Sequence, residues 1–193
     1  GGFSVIQSLA TLAIDGRRSK FFRGQLIRAL RILDEGHITL ERMRGSWAGA
    51  MGHFQFMPSS FENFSVDHDG DGKRDIWRNK QDAFASAANY LSRSGWEGDQ
   101  TWGRRVTVPA DFNVKLLGLK TRKDMSDWQS LGVRRSDGSD LPSRNLKGSL
   151  VRAKDPKAPV FLTYNNFRTI LKWNRSTYFA VAVGTLADKI GGR

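Results

Sequence analysis

The 193-residue chain contains no cysteine. That excludes a disulfide scaffold and a thiolate metal site, and it suits a reducing cytosol and a bacterial envelope equally. Long apolar runs are also missing. The longest, such as Tyr178 to Val183, are far too short to cross a bilayer. The amino end opens Gly-Gly-Phe-Ser, without the basic segment and apolar run of a secretory leader. Acids are scarce: 19 Asp and Glu face 31 Lys and Arg, a net charge of +12. Such a balance calls for an anionic partner, and nucleic acid, anionic lipid and an acidic wall polymer all qualify. No run of five or six basic residues occurs, so the localised footprint of a nucleic-acid binder is absent.

What the chain does have is core material. Six Trp and twelve Phe in this length suit one domain, or a domain with a sizeable insertion. Ser4 can cap a helix over 5–14, with Val5, Ile6, Leu9, Leu12 and Ala13 on one side and a break at Asp15-Gly16. A longer amphipathic helix follows over 18–33, carrying Phe22, Leu26, Ala29, Leu30 and Leu33 inward and Lys20, Arg23, Arg28 and Arg31 on a solvated face. Thr39 starts a short helix, and another follows Pro58. Asp82 is predicted to cap a helix over 83–93, with Ala83, Phe84, Ala87, Ala88 and Leu91 inward. Short strand-like pieces over 105–108, 149–152 and 160–164 mark a β-containing insert at 98–163. Two helices, 167–172 and 176–190, close the chain, the last carrying Phe179, Val183, Leu186 and Ile190. The expected fold class is α+β, mainly α: a helical core from 1–97 and 164–193 around the insert.

Two stretches carry chemistry. From Gly45 to Phe61, the glycines Gly45, Gly49 and Gly52 let the backbone approach a neighbour closely. Trp47, Phe54, Phe56 and Phe61 supply flat apolar faces among a few polar groups, Ser46, His53 and Gln55. Sparse polar groups between aromatic faces suit a ligand cleft. A tight helix–turn–helix packed in the core would use the same residues. His53 and His37 have no partner at a telling spacing and read as structural.

The second stretch, Asp67-His68-Asp69-Gly70-Asp71-Gly72-Lys73-Arg74-Asp75, follows the first half of an EF-hand loop. Oxygens stand at positions 1, 3 and 5, glycine at 6, the Lys73 carbonyl at 7 and Asp75 at 9. Arg78 occupies the twelfth position, where a glutamate is usual, and Asp82 is the nearest acid able to close the site. Crowded carboxylates repel unless a cation offsets them. The spacing predicts a structural calcium ion. The other reading is an Asp/Gly turn held by side-chain-to-backbone hydrogen bonds.

In order and spacing, Ser46-Trp47-Ala48-Gly49-Ala50-Met51-Gly52, Gln55-Phe56-Met57-Pro58-Ser59-Ser60 and Asp69-Gly70-Asp71-Gly72 resemble the lytic murein transglycosylase B family of bacterial cell-wall enzymes. The likeness is strong over 4–96 and 164–190 and weak through the insert. It implies a lysozyme-like fold in the periplasm or cell envelope, acting as a monomer on peptidoglycan glycan strands, with no nucleic acid bound. The implied reaction cleaves the MurNAc–GlcNAc β-1,4 bond without water and leaves a 1,6-anhydro product. By the same likeness Ser46 and Gln55 would line the cleft, Tyr90 would face the catalytic acid and Asn174 would contact sugar or peptide. Asp67, Asp69, Asp71, the Lys73 carbonyl and Asp82 would hold calcium. The family's catalytic glutamate is expected upstream of Gly1, because Glu35, Glu41, Glu62 and Glu97 all stand in the wrong context. Other departures are His53-Phe54 before Gln55 and Phe179 where the family often has tyrosine. A non-catalytic, calcium-stabilised glycan-binding module of the same fold is the alternative.

Overall fold

Helix α1 (Val5–Ile14) starts where Ser4 predicts it: Ser4 Oγ accepts the Gln7 N–H at 3.4 Å. The computed structural model describes residues 1–14, 17–153 and 155–192, so the break expected at Asp15-Gly16 lies outside the described residues. The chain divides into two units, Gly1–Arg93 and Ser94–Arg193.

In the first unit α1 packs along α2 (Ser19–Asp34), burying Val5, Leu9 and Ala13. The inward stripe of α2 is rotated from the one its leucines suggest: Gln25, Ala29 and Ile32 are buried while Leu30 is 48% exposed. Gln25 explains the rotation. Its Oε1 accepts the Ser59 N–H at 2.9 Å and its Nε2 donates to Ser59 Oγ at 3.1 Å, supplying a partner at the start of α3 (Pro58–Phe64). Arg28 and Arg31, expected on a solvated face, both reach Glu62 of α3, at 2.8 and 3.1 Å. Thr39 begins a single turn, not a helix; its carbonyl accepts the N–H groups of Arg42 and Met43. Strand β1 (Phe3–Ser4) then pairs antiparallel with β2 (Arg44–Gly45).

Helix α4 runs Lys80–Arg93, so Asp82 lies inside its first turn. The side chain at the helix start belongs to Asn79, whose Oδ1 accepts from the Gln81 and Asp82 N–H groups. Phe84, expected inward, is 64% exposed, and the small Ser86 is buried in its stead. Ser86 Oγ accepts the Val66 N–H at 2.9 Å, a bond a phenylalanine could not make.

The second unit is built on an antiparallel sheet in the order β4 (Lys123–Asp124), β6 (Lys147–Arg152), β7 (Val160–Thr163), β3 (Gly103–Thr107), β5 (Arg134–Arg135). Both faces are covered, which is why β6 and β7 read as short apolar runs. One face sets Leu150 and Leu162 against Trp128 of α5 (Met125–Ser130), and the other sets Val151 beside Trp102 and Phe167. Helices α6 (Asn165–Trp173) and α7 (Thr177–Ile190) share that second cluster through Phe167, Ile170 and Ala180. Ser176 Oγ caps α7 by accepting the Phe179 N–H at 3.3 Å. The stripe Val183, Leu186, Ile190 faces out, the last two 59% and 80% exposed. Trp102 decides this: a Cβ on Gly184 would meet its ring at 2.4 Å, and its Nε1 donates to Asp188 Oδ2 at 2.9 Å. The indole therefore selects the small Ala180–Gly184–Asp188 line.

Candidate functional site

The glycine-rich stretch is neither a helix–turn–helix nor a loose loop. Single antiparallel bridges join Gly45 to Met51 and Met51 to Phe56. Ser46 Oγ accepts the N–H groups of Ala48 and Ala50, at 3.2 and 3.0 Å, and so closes the first turn. Gly49, at φ 84°, passes so near Leu9 that a Cβ would lie 2.3 Å from Cδ2. Gly52, at φ 66°, would bring a Cβ to 2.6 Å from the Ile76 carbonyl oxygen, and the next residue, His53, donates its N–H to that oxygen. The two glycines press this segment onto α1 and onto the chain at Ile76.

Beyond the second turn lies a cavity of about 640 Å³. Gln55, His53 and Gly52 form one wall, Trp77 and Arg78 another, and Arg42, Arg44, Glu41 and Gly1 the rest. Gln55 sits in the left-handed region at φ 54°, with its Nε2 donating to the Gly52 carbonyl at 2.9 Å. A non-glycine residue there costs roughly 1–3 kcal/mol and persists only where its surroundings over-determine it, most often at functional sites. Trp77 is fixed by its Nε1 donating to the Arg44 carbonyl at 3.0 Å.

The aromatic faces sort differently from their sequence reading. Phe56 and Phe61 are core, 3% and 0% exposed. Phe54 packs edge-on against Phe84, and Trp47 stands 66% exposed. The indole on the cavity is Trp77, which sequence reasoning passed over together with Arg42, Arg44 and Arg78. An isolated tryptophan just past the acidic loop was the available signal. Ser46 is half-buried with its hydroxyl spent on the turn and is not among the cavity-lining residues. Tyr90, on α4, packs tilted against Phe56 and edge-on against Phe64 at centroid distances of 5.8 and 4.6 Å. Asn174 lies in the second unit, where its Oδ1 accepts the Ser176 N–H at 3.0 Å between α6 and α7.

One carboxyl lines the cavity, that of Glu41. It is exposed, and hydrogen bonds from its own backbone and from Thr39 hold its pKa below the usual carboxylate value, the wrong direction for a general acid near neutral pH. Glu35 pairs with Arg74, Glu62 with Arg28 and Arg31, and Glu97 bonds Asn165 in the second unit.

The acidic loop is organised by Asp82. This carboxylate is fully buried; Oδ1 accepts the His68 N–H and Oδ2 the Asp75 N–H, both at 2.8 Å. Asp67 accepts from Gly70 and Gly72, and Asp71 from Lys73. Oxygens of Asp67, Asp69 and Asp82 lie within 4.8 Å of one another. Among the described residues no ion pair to Lys, Arg or His involves any of the three. Three uncompensated carboxylates, one of them buried, form a hard-oxygen set that fits a cation of the calcium or magnesium type. His37 ties the far side of the loop: its Nδ1 accepts the Arg74 N–H at 3.2 Å, and its Nε2 lies 3.2 Å from Glu35 Oε2. Burial first, and the Arg74 charge second, lower the His37 pKa from its ordinary value.

Over residues 1–188 the chain matches the transglycosylase SLT domain family. It is 33% identical over 196 residues to the membrane-bound lytic murein transglycosylase B of Escherichia coli strain K12, covering 98% of this chain and 52% of that protein. The crystal structure of SltB3 from Pseudomonas aeruginosa in complex with NAG-anhNAM-pentapeptide superposes with a TM-score of 0.95 at 48% identity, over 100% of this chain and 52% of that one. The Escherichia coli lytic transglycosylase Slt35 in complex with calcium aligns with a TM-score of 0.84 at 30% identity, over 99% and 60%. The chain thus spans about half the length of the first two of these relatives.

Proposed function

The chain belongs to the transglycosylase SLT domain family, and from that premise we propose that it forms most of the catalytic domain of a peptidoglycan lytic transglycosylase of the cell envelope, working as a monomer. The observation that carries this reading is Gln55, held in a strained backbone conformation on the wall of a cavity lined by Trp77 and three arginines. A flat indole suits a sugar face, and the arginines suit an acidic wall polymer. The bound NAG-anhNAM-pentapeptide of SltB3 is the product such a reaction leaves.

In the proposed reaction a glutamic acid upstream of Gly1 protonates the oxygen of the MurNAc–GlcNAc β-1,4 bond. The C1–O bond breaks, the carboxylate takes the proton of the MurNAc 6-hydroxyl, and that oxygen bonds to C1. No water is consumed. One carboxyl serving as acid and then base needs a raised pKa, and the Glu41 carboxyl on this cavity is shifted the other way. Gly1 lines the cavity, and β1 runs beside β2 into Ser46, so a residue preceding Gly1 is well placed to reach it. Gln55 would position the sugar, Ser46 would hold the turn that leads to it, and Tyr90 would face the acid. Asp67, Asp69 and Asp82, with Asp71 and the Lys73 carbonyl, would hold a structural calcium ion that neutralises the loop.

The position of Glu41 favours a second reading, a glycan-binding module that does not cut. Digestion of purified peptidoglycan, followed by mass spectrometry, separates the two. The chain extended upstream is expected to release 1,6-anhydro muropeptides, and its Gln55→Ala variant at least tenfold less. No product from the extended chain, with glycan binding retained, would leave the binding module standing.

A further inference from the structure

At several places in the chain neighbouring cations find an acid. Arg28 and Arg31 share Glu62, Arg74 meets Glu35, and Arg134 and Arg135 meet Asp140 and Asp137. A cavity in the second unit has cations without such a partner among the described residues. Its volume is about 500 Å³, and it is lined by Leu119, Arg168, Leu171, Lys172 and Arg175. Arg168 and Lys172 stand one turn apart on α6, and Arg175 follows just past its end. Among the described residues none of these three, nor Arg122, takes part in an ion pair.

Arg168 is held in place rather than left to swing. Its Nη2 donates to the Leu119 carbonyl and to Ser149 Oγ, at 2.5 and 3.0 Å. Lys172 Nζ is likewise anchored, on the Ser94 carbonyl at 2.6 Å. Burial, and then repulsion from the Arg122 guanidinium, lower the Arg168 pKa from its usual value. Fixed like charges around a concave surface raise the local potential and are relieved by a bound anion.

We propose that this cavity binds a phosphate group. A single carboxylate would leave most of the positive charge unanswered, whereas a phosphate offers two charges and several acceptor oxygens to the arginine forks. A phosphate ester on a soluble saccharide and a phospholipid head group share this chemistry. The site lies wholly within Ser94–Arg193 and does not depend on the glycan reading of the first unit.

The test is calorimetric titration of the whole chain with pyrophosphate at low salt. Saturable binding is expected, weakened at least tenfold by Arg175→Gln and unchanged by Lys157→Gln, an equal loss of charge outside the cavity. Arg168→Gln also removes two structural hydrogen bonds, so Arg175→Gln, which breaks no hydrogen bond or ion pair among the described residues, is the deciding variant. Absence of saturable binding at millimolar pyrophosphate, or equal weakening by Lys157→Gln, would overturn the proposal. Sedimentation with phosphatidylglycerol vesicles but not phosphatidylcholine ones, lost in Arg175→Gln, would assign the phosphate to a lipid. Pyrophosphate binding without sedimentation would assign it to a soluble ester.

Discussion

The two units solve the same problem by different means. Between Gly1 and Arg93 thirteen basic residues face ten acids, and long segments with no regular structure beyond the two-residue β2 run from Glu35 to Met57 and from Ser65 to Asn79. Beyond their own turns and single bridges, those segments lean on individual side chains: Ser46, Ser86, Asp82 and His37 each take backbone N–H groups from them. Between Ser94 and Arg193 eighteen basic residues face nine acids, and a ladder-bonded sheet with both faces covered does most of the work. Stability in the first unit hangs on individual polar groups, whose loss strands buried donors. In the second it hangs on shape, whose loss is a packing defect.

The sharpest way to break that contrast is Asp82→Ala. It leaves the His68 and Asp75 N–H groups without their acceptor and removes a carboxylate of the cation set, for a loss on the order of 3 kcal/mol. Hydrogen exchange should localise the loss to the first unit; equal deprotection of β6 and β7 would refute the contrast. Chelation comes next. With calcium about 100-fold above its dissociation constant, its removal is expected to cost about 2.7 kcal/mol, visible as a lower Tm that added calcium restores. In Asp82→Ala the same treatment should change little. In the second unit, Gly184→Val forces a methyl pair into the Trp102 ring and should cost roughly 1–3 kcal/mol, with loss of near-ultraviolet tryptophan signal and no change in cation response.

The smallest effect concerns His37. Its folded-state pKa lies below the unfolded value, so the folded state binds the proton less tightly. Its stabilisation is complete above the ordinary histidine value of about 6.5 and is lost as pH falls from there through the folded-state pKa. Tm measured from pH 5 to 8 should therefore fall more steeply at the acid end in the parent chain than in His37→Gln. Parallel curves would remove His37 from the account.

Much of this was legible in advance. Helices α1 and α4, the strands over 103–107, 147–152 and 160–163, and the Ser4 cap follow from patterns within one turn or one pleat. The gathering of acids in the 67–75 loop was legible because their spacing is a property of contiguous sequence. Phe56 and Phe61 were misjudged as cleft because composition does not say which side of a turn an aromatic occupies. Trp77 was missed because what makes it part of a cavity is the Arg44 carbonyl, 33 residues earlier in the chain.

By itself the sequence determined where most of the helices and strands form, and that acids of the 67–75 loop would gather in one place. Local sterics and spacing suffice for that. Only the tertiary structure decided which faces meet. Trp102 turned the glycine line of α7 inward and left its larger apolar residues outside. Asp82 became a buried anchor for two distant N–H groups rather than a helix cap, and Gln55 was fixed in a strained conformation by its turn. Each outcome is a choice between competing burials, and such choices depend on contacts between residues far apart in the chain.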